Sequence, residues 1–105
     1  MTIFRLKAQI VFRDGSLLHI RQIILGEAVY EYAFHWQDAA GQLLCRWDNA
    51  PHWPETVTHP HHKHVMREQY ETVTESRGGD LEVVFEEIIR SLPQLGKKAP
   101  LPDRR

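Results

Sequence analysis

The chain begins with alternating apolar and polar positions, which is the period of a strand with one buried face. Asp14-Gly15 then predicts a hairpin turn, and a three-residue loop keeps the apolar faces matched because it pairs Ile10 with Ile20. The apolar side of residues 3–13 is formed by Phe4, Leu6, Ala8, Ile10 and Phe12. The outer side of the hairpin collects the basic side chains Arg5, Lys7, Arg13, His19 and Arg21.

A third, a fourth and a short fifth strand are predicted in the middle of the chain, after the two strands of the first hairpin. Residues 28–37 repeat the alternation, and residues 42–49 pair with them after a turn. A two-residue loop sets Phe34 opposite Cys45, with the register open by one residue. The apolar face of the first of these strands is Ala28, Tyr30, Tyr32, Phe34 and Trp36. Residues 61–66 follow a proline-rich loop and predict the short fifth strand.

The C-terminal part of the chain predicts one helix after a linker. Residues 67–79 are polar and end in two glycines, Asp80 is an N-cap candidate, and Pro93 ends the helix. Its apolar positions follow helical spacing: Leu81, Val84, Phe85, Ile88 and Leu92. These elements predict a single α+β domain over residues 1–92, followed by a flexible tail, residues 93–105. An antiparallel sheet of about five strands would carry the helix on one face and a polar cluster on the other.

Composition limits the class of protein and its surroundings. The chain has 105 residues, the size of one domain, and Cys45 is its single cysteine. A lone cysteine excludes an internal disulfide and a Cys-rich zinc site, and it favours a reducing compartment. No apolar run reaches the roughly 18 residues of a membrane span, and the charged N-terminus is unlike a signal peptide. We therefore expect a cytoplasmic protein without membrane association.

Histidines are the unusual feature of the composition, since five of the seven fall within 13 residues. Imidazoles two positions apart in a strand point to the same side. His62 and His64 are therefore suited to share a metal ion with Asp48, and His59 with His61 is the alternative pair. A His-x-His spacing is short and common, and no further ligand follows at a fixed spacing. We therefore expect a metal-independent mechanism without a cofactor.

The same polar residues fit metal-free cleavage of RNA. Histidine is the usual acid and base near neutral pH, and we assign these roles to His62 and His64. Asp48 is expected to orient a histidine, and His35 is a further catalytic candidate. Cationic and histidine side chains predicted to contact RNA or phosphate are Lys63, Arg46, His61, His52 and Arg21. A one-residue change of strand face would exchange His61 and His62.

Three sequence blocks resemble the TumE family of small bacterial toxins. They are YAFHWQDA at residues 32–39, GQLLCRWDNAPH at 41–52 and PHHKHV at 60–65, and the resemblance runs over about residues 10–92. It implies the toxin component of a type II toxin–antitoxin pair, with a cognate helix-turn-helix antitoxin as partner and RNA as substrate. One departure is Gln22, where the family often has an acidic residue.

Two other interpretations remain open on the sequence alone. One is a non-catalytic module that binds a metal, RNA or another protein. The other is a toxin that modifies RNA or nucleotides without cutting the strand, although the chain lacks a phosphate-binding loop. The sequence also allows an oligomer.

Overall fold

The computed structural model describes residues 2–92, which form one antiparallel sheet with a helix against one face. Sheet order equals chain order: β1 (Ile3–Val11), β2 (Leu17–Leu25), β3 (Ala28–Gln37), β4 (Leu43–Asp48), β5 (His62–Arg67) and β6 (Tyr70–Glu75). The helix is α1 (Leu81–Ser91). The α+β class is confirmed, and the sheet has six strands where about five are predicted. Within residues 2–92 no helix is long and apolar enough to cross a membrane.

The additional strand is β6, which occupies part of the segment predicted as a linker. A tight turn joins it to β5, with Glu68 in the left-handed region at φ 61°. β6 is an edge strand in which only Val73 and Thr74 are half-buried, so its sequence lacks a clear apolar alternation. The predicted tail, residues 93–105, lies outside the described residues.

Both hairpin registers differ from the sequence prediction by two positions. Ile10 lies opposite Leu18 and not opposite Ile20, because the first turn is centred on Asp14, one residue earlier than predicted. The Ser16 backbone N–H and hydroxyl both donate to Asp14 Oδ1, at 2.9 and 2.6 Å, which stabilises this turn. A shift by two keeps every side chain on its predicted face. The grouping of basic residues on the outer face is therefore unchanged.

The register of the hairpin of β3 and β4 also shifts by two positions. Asp38 Oδ1 accepts backbone N–H groups of Ala40 and Gln42 at 3.0 and 2.9 Å, which favours a loop one residue longer than predicted. A register irregularity after Trp36 adds the second position. Phe34 therefore faces Trp47 and not Cys45.

The core lies between the sheet and α1. Its buried members are Leu18, Ile20, Tyr32, Phe34, Trp36, Cys45, Trp47, Val84 and Ile88. The predicted N-cap is present, since the Glu82 N–H donates to Asp80 Oδ1 at 3.2 Å. A Cβ at Gly79 would lie 2.1 Å from Cε2 of Tyr32, so the chain can enter the helix this close to the sheet only with glycine there. The face of the sheet opposite α1 is left for polar side chains.

Candidate functional site

Polar side chains line up in two adjacent rows across the open face of the sheet. Strand register sets one row as Gln9, His19, His35, Arg46 and His64, and the next as Lys7, Arg21, Ala33, Asp48 and His62. Residues directly opposite in such pairs lie roughly 5 Å apart at Cβ. The structure therefore brings together most of the residues singled out in the sequence.

The part of these rows on β1 to β4 forms a shallow basic groove. Its cationic members are Lys7, Arg21 and Arg46. The carboxylate of Glu31 lies 4.0 Å from the Arg21 guanidinium, and both side chains are exposed. Ala33 is buried between Arg21 and Asp48, and its small side chain leaves the floor of the groove open. A surface of this charge and shape suits an anionic chain.

Two histidines face each other in this groove. The rings of His19 and His35 meet edge to face, with centroids 5.8 Å apart. Burial, then the positive charges of Arg46 and His19, lowers the pKa of His35, which leaves its ring neutral near pH 7. Gln9 Nε2 lies 3.3 Å from His19 Nδ1, so Nε2 is the ring nitrogen that this contact leaves available. Sequence reasoning placed His19 on the outer face but gave it no role.

Beside the groove, three buried or half-buried groups converge on one carboxylate. Asp48 Oδ1 is 3.0 Å from His62 Nε2, and Asp48 Oδ2 is 3.6 Å from His64 Nε2. Arg46 Nε donates to Asp48 Oδ2 at 3.1 Å. The exposed fraction of the side chain is 1% for His62, 6% for Asp48 and 14% for His64. Asp48 therefore links the groove, through Arg46, to the two histidines of β5.

The other ring nitrogen of each of these histidines is also occupied. His62 Nδ1 donates to the Pro60 carbonyl at 2.9 Å, and His64 Nδ1 donates to Glu71 Oε2 at 2.6 Å. Both Nε2 atoms are directed at Asp48. In this arrangement neither ring presents a nitrogen to the groove.

The loop after β4 fixes this cluster. The Asn49 side chain accepts the Tyr32 N–H at 3.0 Å and donates to the Tyr30 carbonyl at 3.1 Å, which continues the pairing where the strand ends. The Ala50 N–H donates to Asp48 Oδ1 at 3.0 Å. Trp53 then packs beside the rings of His62 and His64, with centroids at 6.4 and 6.1 Å. These contacts hold the carboxylate in place and keep it almost fully buried.

Three predicted residues lie elsewhere. Neighbouring residues along a strand point to opposite faces, so Lys63 lies on the helix side of the sheet, away from His62 and His64. There it donates to Glu87. The expectation that it shares a site with His62 and His64 is therefore wrong. His61 pairs with the Tyr32 hydroxyl at 2.8 Å on that same side, and His52 is exposed in the loop.

Comparison with known proteins supports one family. A family model described as Toxin TumE matches residues 2–94. No curated protein matches the chain. No solved structure matches it either. Because the matched region covers nearly the whole sequence, the chain belongs to the TumE toxin family.

Proposed function

We propose that this toxin is a metal-independent endoribonuclease that binds RNA in the groove of Lys7, Arg21 and Arg46. The observation that carries the proposal is the pair His19 and His35 between those cations, on a sheet face that no helix of residues 2–92 covers. An acid and a base beside phosphate-binding cations are the groups that cleavage of a ribose phosphodiester requires.

In the proposed reaction, His35 is the base because its ring is neutral near pH 7. It takes the proton of a ribose 2′-hydroxyl, and the 2′-oxygen attacks the adjacent phosphorus. His19, as the imidazolium, gives its Nε2 proton to the departing 5′-oxygen and becomes neutral, which leaves a 2′,3′-cyclic phosphate and a free 5′-hydroxyl. Arg46 and Arg21 stabilise the charge that develops on the phosphate oxygens.

This assignment moves the acid and base from His62 and His64 to His35 and His19. His62 is almost fully buried, and both nitrogens of His64 contact carboxylates. Their proposed contribution is to hold Asp48, which in turn orients Arg46 toward the groove. Cys45 is unsuited as a nucleophile because burial raises the pKa of its thiol to about 12.

We further propose that a protein antitoxin with a helix-turn-helix domain controls this toxin. Membership of a toxin family supports an antitoxin partner in general. Within residues 2–92 no strand pairs with the outer edge of β1, and this edge offers a surface, since Phe4 and Leu6 there are 56% and 42% exposed. A partner segment that covers this strand would also lie beside the groove.

The test is induction of the toxin in cells with and without the product of the neighbouring gene. We expect growth arrest and new RNA ends that disappear when the partner is co-expressed. His35→Ala should lose at least about 100-fold in cleavage rate, because it removes the base. Purified protein should cut RNA in the presence of a chelator and yield cyclic phosphate ends.

His59→Ala is the matched control, since His59 is an exposed histidine outside the groove. It should cleave RNA like the unaltered protein. Equal cleavage by His35→Ala and His59→Ala would refute the assignment. Growth arrest without new RNA ends would instead favour a toxin that modifies its target without cutting it.

A further inference from the structure

We propose that Asp48, His62 and His64 form a binding site for a divalent transition-metal ion of the Zn²⁺ class. The ligands would be the Asp48 carboxylate and the Nε2 atoms of both histidines. This inference goes beyond RNA cleavage, since the proposed reaction uses the neighbouring groove and needs no metal. It concerns a second chemical site on the same face of the sheet.

The spacing of the three groups fits a metal. Their ligand atoms all lie within 4.8 Å of one another. Bonds of about 2.0–2.1 Å in a tetrahedron separate two ligand atoms by roughly 3.3 Å. The separations from Asp48 are 3.0 Å to His62 Nε2 and 3.6 Å to His64 Nε2, on either side of that value. An ion could therefore be accommodated with small side-chain adjustments.

The hydrogen positions of His62 provide a second, independent argument. Its Nδ1 faces the Pro60 carbonyl, which can only accept, so Nδ1 carries a hydrogen. In the neutral ring, Nε2 then has a lone pair directed at Asp48 Oδ1 from 3.0 Å. Two lone pairs this close and almost fully buried repel each other unless a cation, either a proton or a metal ion, lies between them. A metal ion in that place would convert the repulsion into two coordinate bonds.

His64 has the same arrangement with different partners. Its Nδ1 donates to the Glu71 carboxylate, and its Nε2 is directed at the other oxygen of Asp48. Histidines that bind metals nearly always donate their second nitrogen to a carbonyl or carboxylate, which fixes the ring and makes the ligating nitrogen more basic. Both histidines of this cluster therefore have the support expected of metal ligands.

The surroundings also determine which ion fits. Two imidazoles and one carboxylate suit Zn²⁺, Co²⁺, Ni²⁺ or Fe²⁺ better than Mg²⁺ or Ca²⁺, which prefer oxygen ligands. Three protein ligands leave a coordination position for water.

The positive charge of Arg46 weakens the binding of a metal cation, because Arg46 Nε lies 3.1 Å from the same carboxylate. Replacing Arg46 by glutamine should therefore tighten metal binding.

The experiment is titration of the chelator-treated full chain with Co²⁺, followed by competition with Zn²⁺. We expect one ion per chain, visible absorption bands of a low-symmetry Co²⁺ site, and a rise in melting temperature with Zn²⁺. His64→Gln should weaken binding at least 100-fold. Glu71→Gln removes only the outer partner of His64, at an exposed edge, and should weaken it about 10-fold.

His59→Gln is the matched control, because it removes one histidine from the same dense segment but not from the cluster. It should bind Co²⁺ like the unaltered protein. Absence of stoichiometric binding, or equal losses in His59→Gln and Glu71→Gln, would overturn the proposal. Glu71→Gln decides the question even if His64→Gln fails to fold. Cleavage of RNA in chelator is measured separately, so failure of the proposed function leaves this result interpretable.

Discussion

At the residue scale, His35 has an environment that its position in the sequence does not reveal. Burial lowers its pKa most, and the charges of Arg46 and His19 lower it further. Replacing His19 by glutamine removes one of these positive neighbours. We therefore expect His19→Gln to move the pKa of His35 upward, though not to the ordinary value, since burial remains. NMR titration of the His35 ring in both proteins measures this change.

The direction of the shift also fixes how stability depends on pH. Between the ordinary histidine pKa and the lowered pKa of His35, the unfolded chain binds the proton and the folded chain does not. This residue therefore reduces the free energy of unfolding as pH falls through that window. A His35 ring that titrates above the ordinary value would contradict both the burial and the proposed role as base.

Alternation along strands was sufficient to predict that Arg21, His35, Arg46, Asp48, His62 and His64 share one face. Applied consistently, the same rule would have excluded Lys63, which lies between two of them. It could not reveal which nitrogen of the His62 and His64 rings is directed at Asp48. That depends on Pro60 and Glu71, whose positions follow from a loop and from an edge strand that the pattern did not predict.

At the scale of elements, the ion pair of Lys63 and Glu87 joins the sheet to α1. Glu87 accepts from Lys63 and, at 2.8 Å, from the indole Nε1 of Trp47. Both charged side chains are largely buried, so removing one leaves the other without its partner. We expect Lys63→Gln to lower the free energy of unfolding by about 1–3 kcal/mol in urea titration.

Lys7→Gln is the comparison, since Lys7 is an exposed lysine on the groove side of β1. Its replacement should change stability by less than about 0.5 kcal/mol. Lys63→Gln should leave the RNA affinity of the folded protein unchanged. A large loss of RNA affinity without a loss of stability in Lys63→Gln would restore the sequence-based assignment of this residue to phosphate.

The elements themselves were predictable where their patterns are strong. The helix has a clear apolar stripe and a capping aspartate, and it begins where predicted. β3 spans the predicted residues because four aromatic side chains mark its alternation. The registers were not predictable, because hydrogen bonds from the backbone to the Asp14 and Asp38 side chains favour a displaced first turn and a longer second loop. A register shift of two residues changes which residues lie opposite each other on neighbouring strands, but it leaves every side chain on its predicted face of the sheet.

At the scale of the whole molecule, charge is separated across the sheet. The net charge is −1, so the protein as a whole does not attract RNA. The groove holds three cations on β1, β2 and β4, whereas acidic side chains lie on β6 and α1. The local electrostatic field of the groove, and not the net charge of the protein, should therefore govern the binding of an anionic chain.

Salt dependence provides a quantitative test of that separation. Each phosphate neutralised on a single strand contributes about −0.7 to the slope of log K against log salt concentration, so Lys7, Arg21 and Arg46 together predict about −2. Lys7→Gln should reduce the slope to about −1.4. Arg67→Gln, at an exposed cation outside the groove, should leave it unchanged. Fluorescence anisotropy with uncleavable 2′-O-methyl RNA measures the slopes, and equal effects of the two variants would show that RNA does not follow the groove.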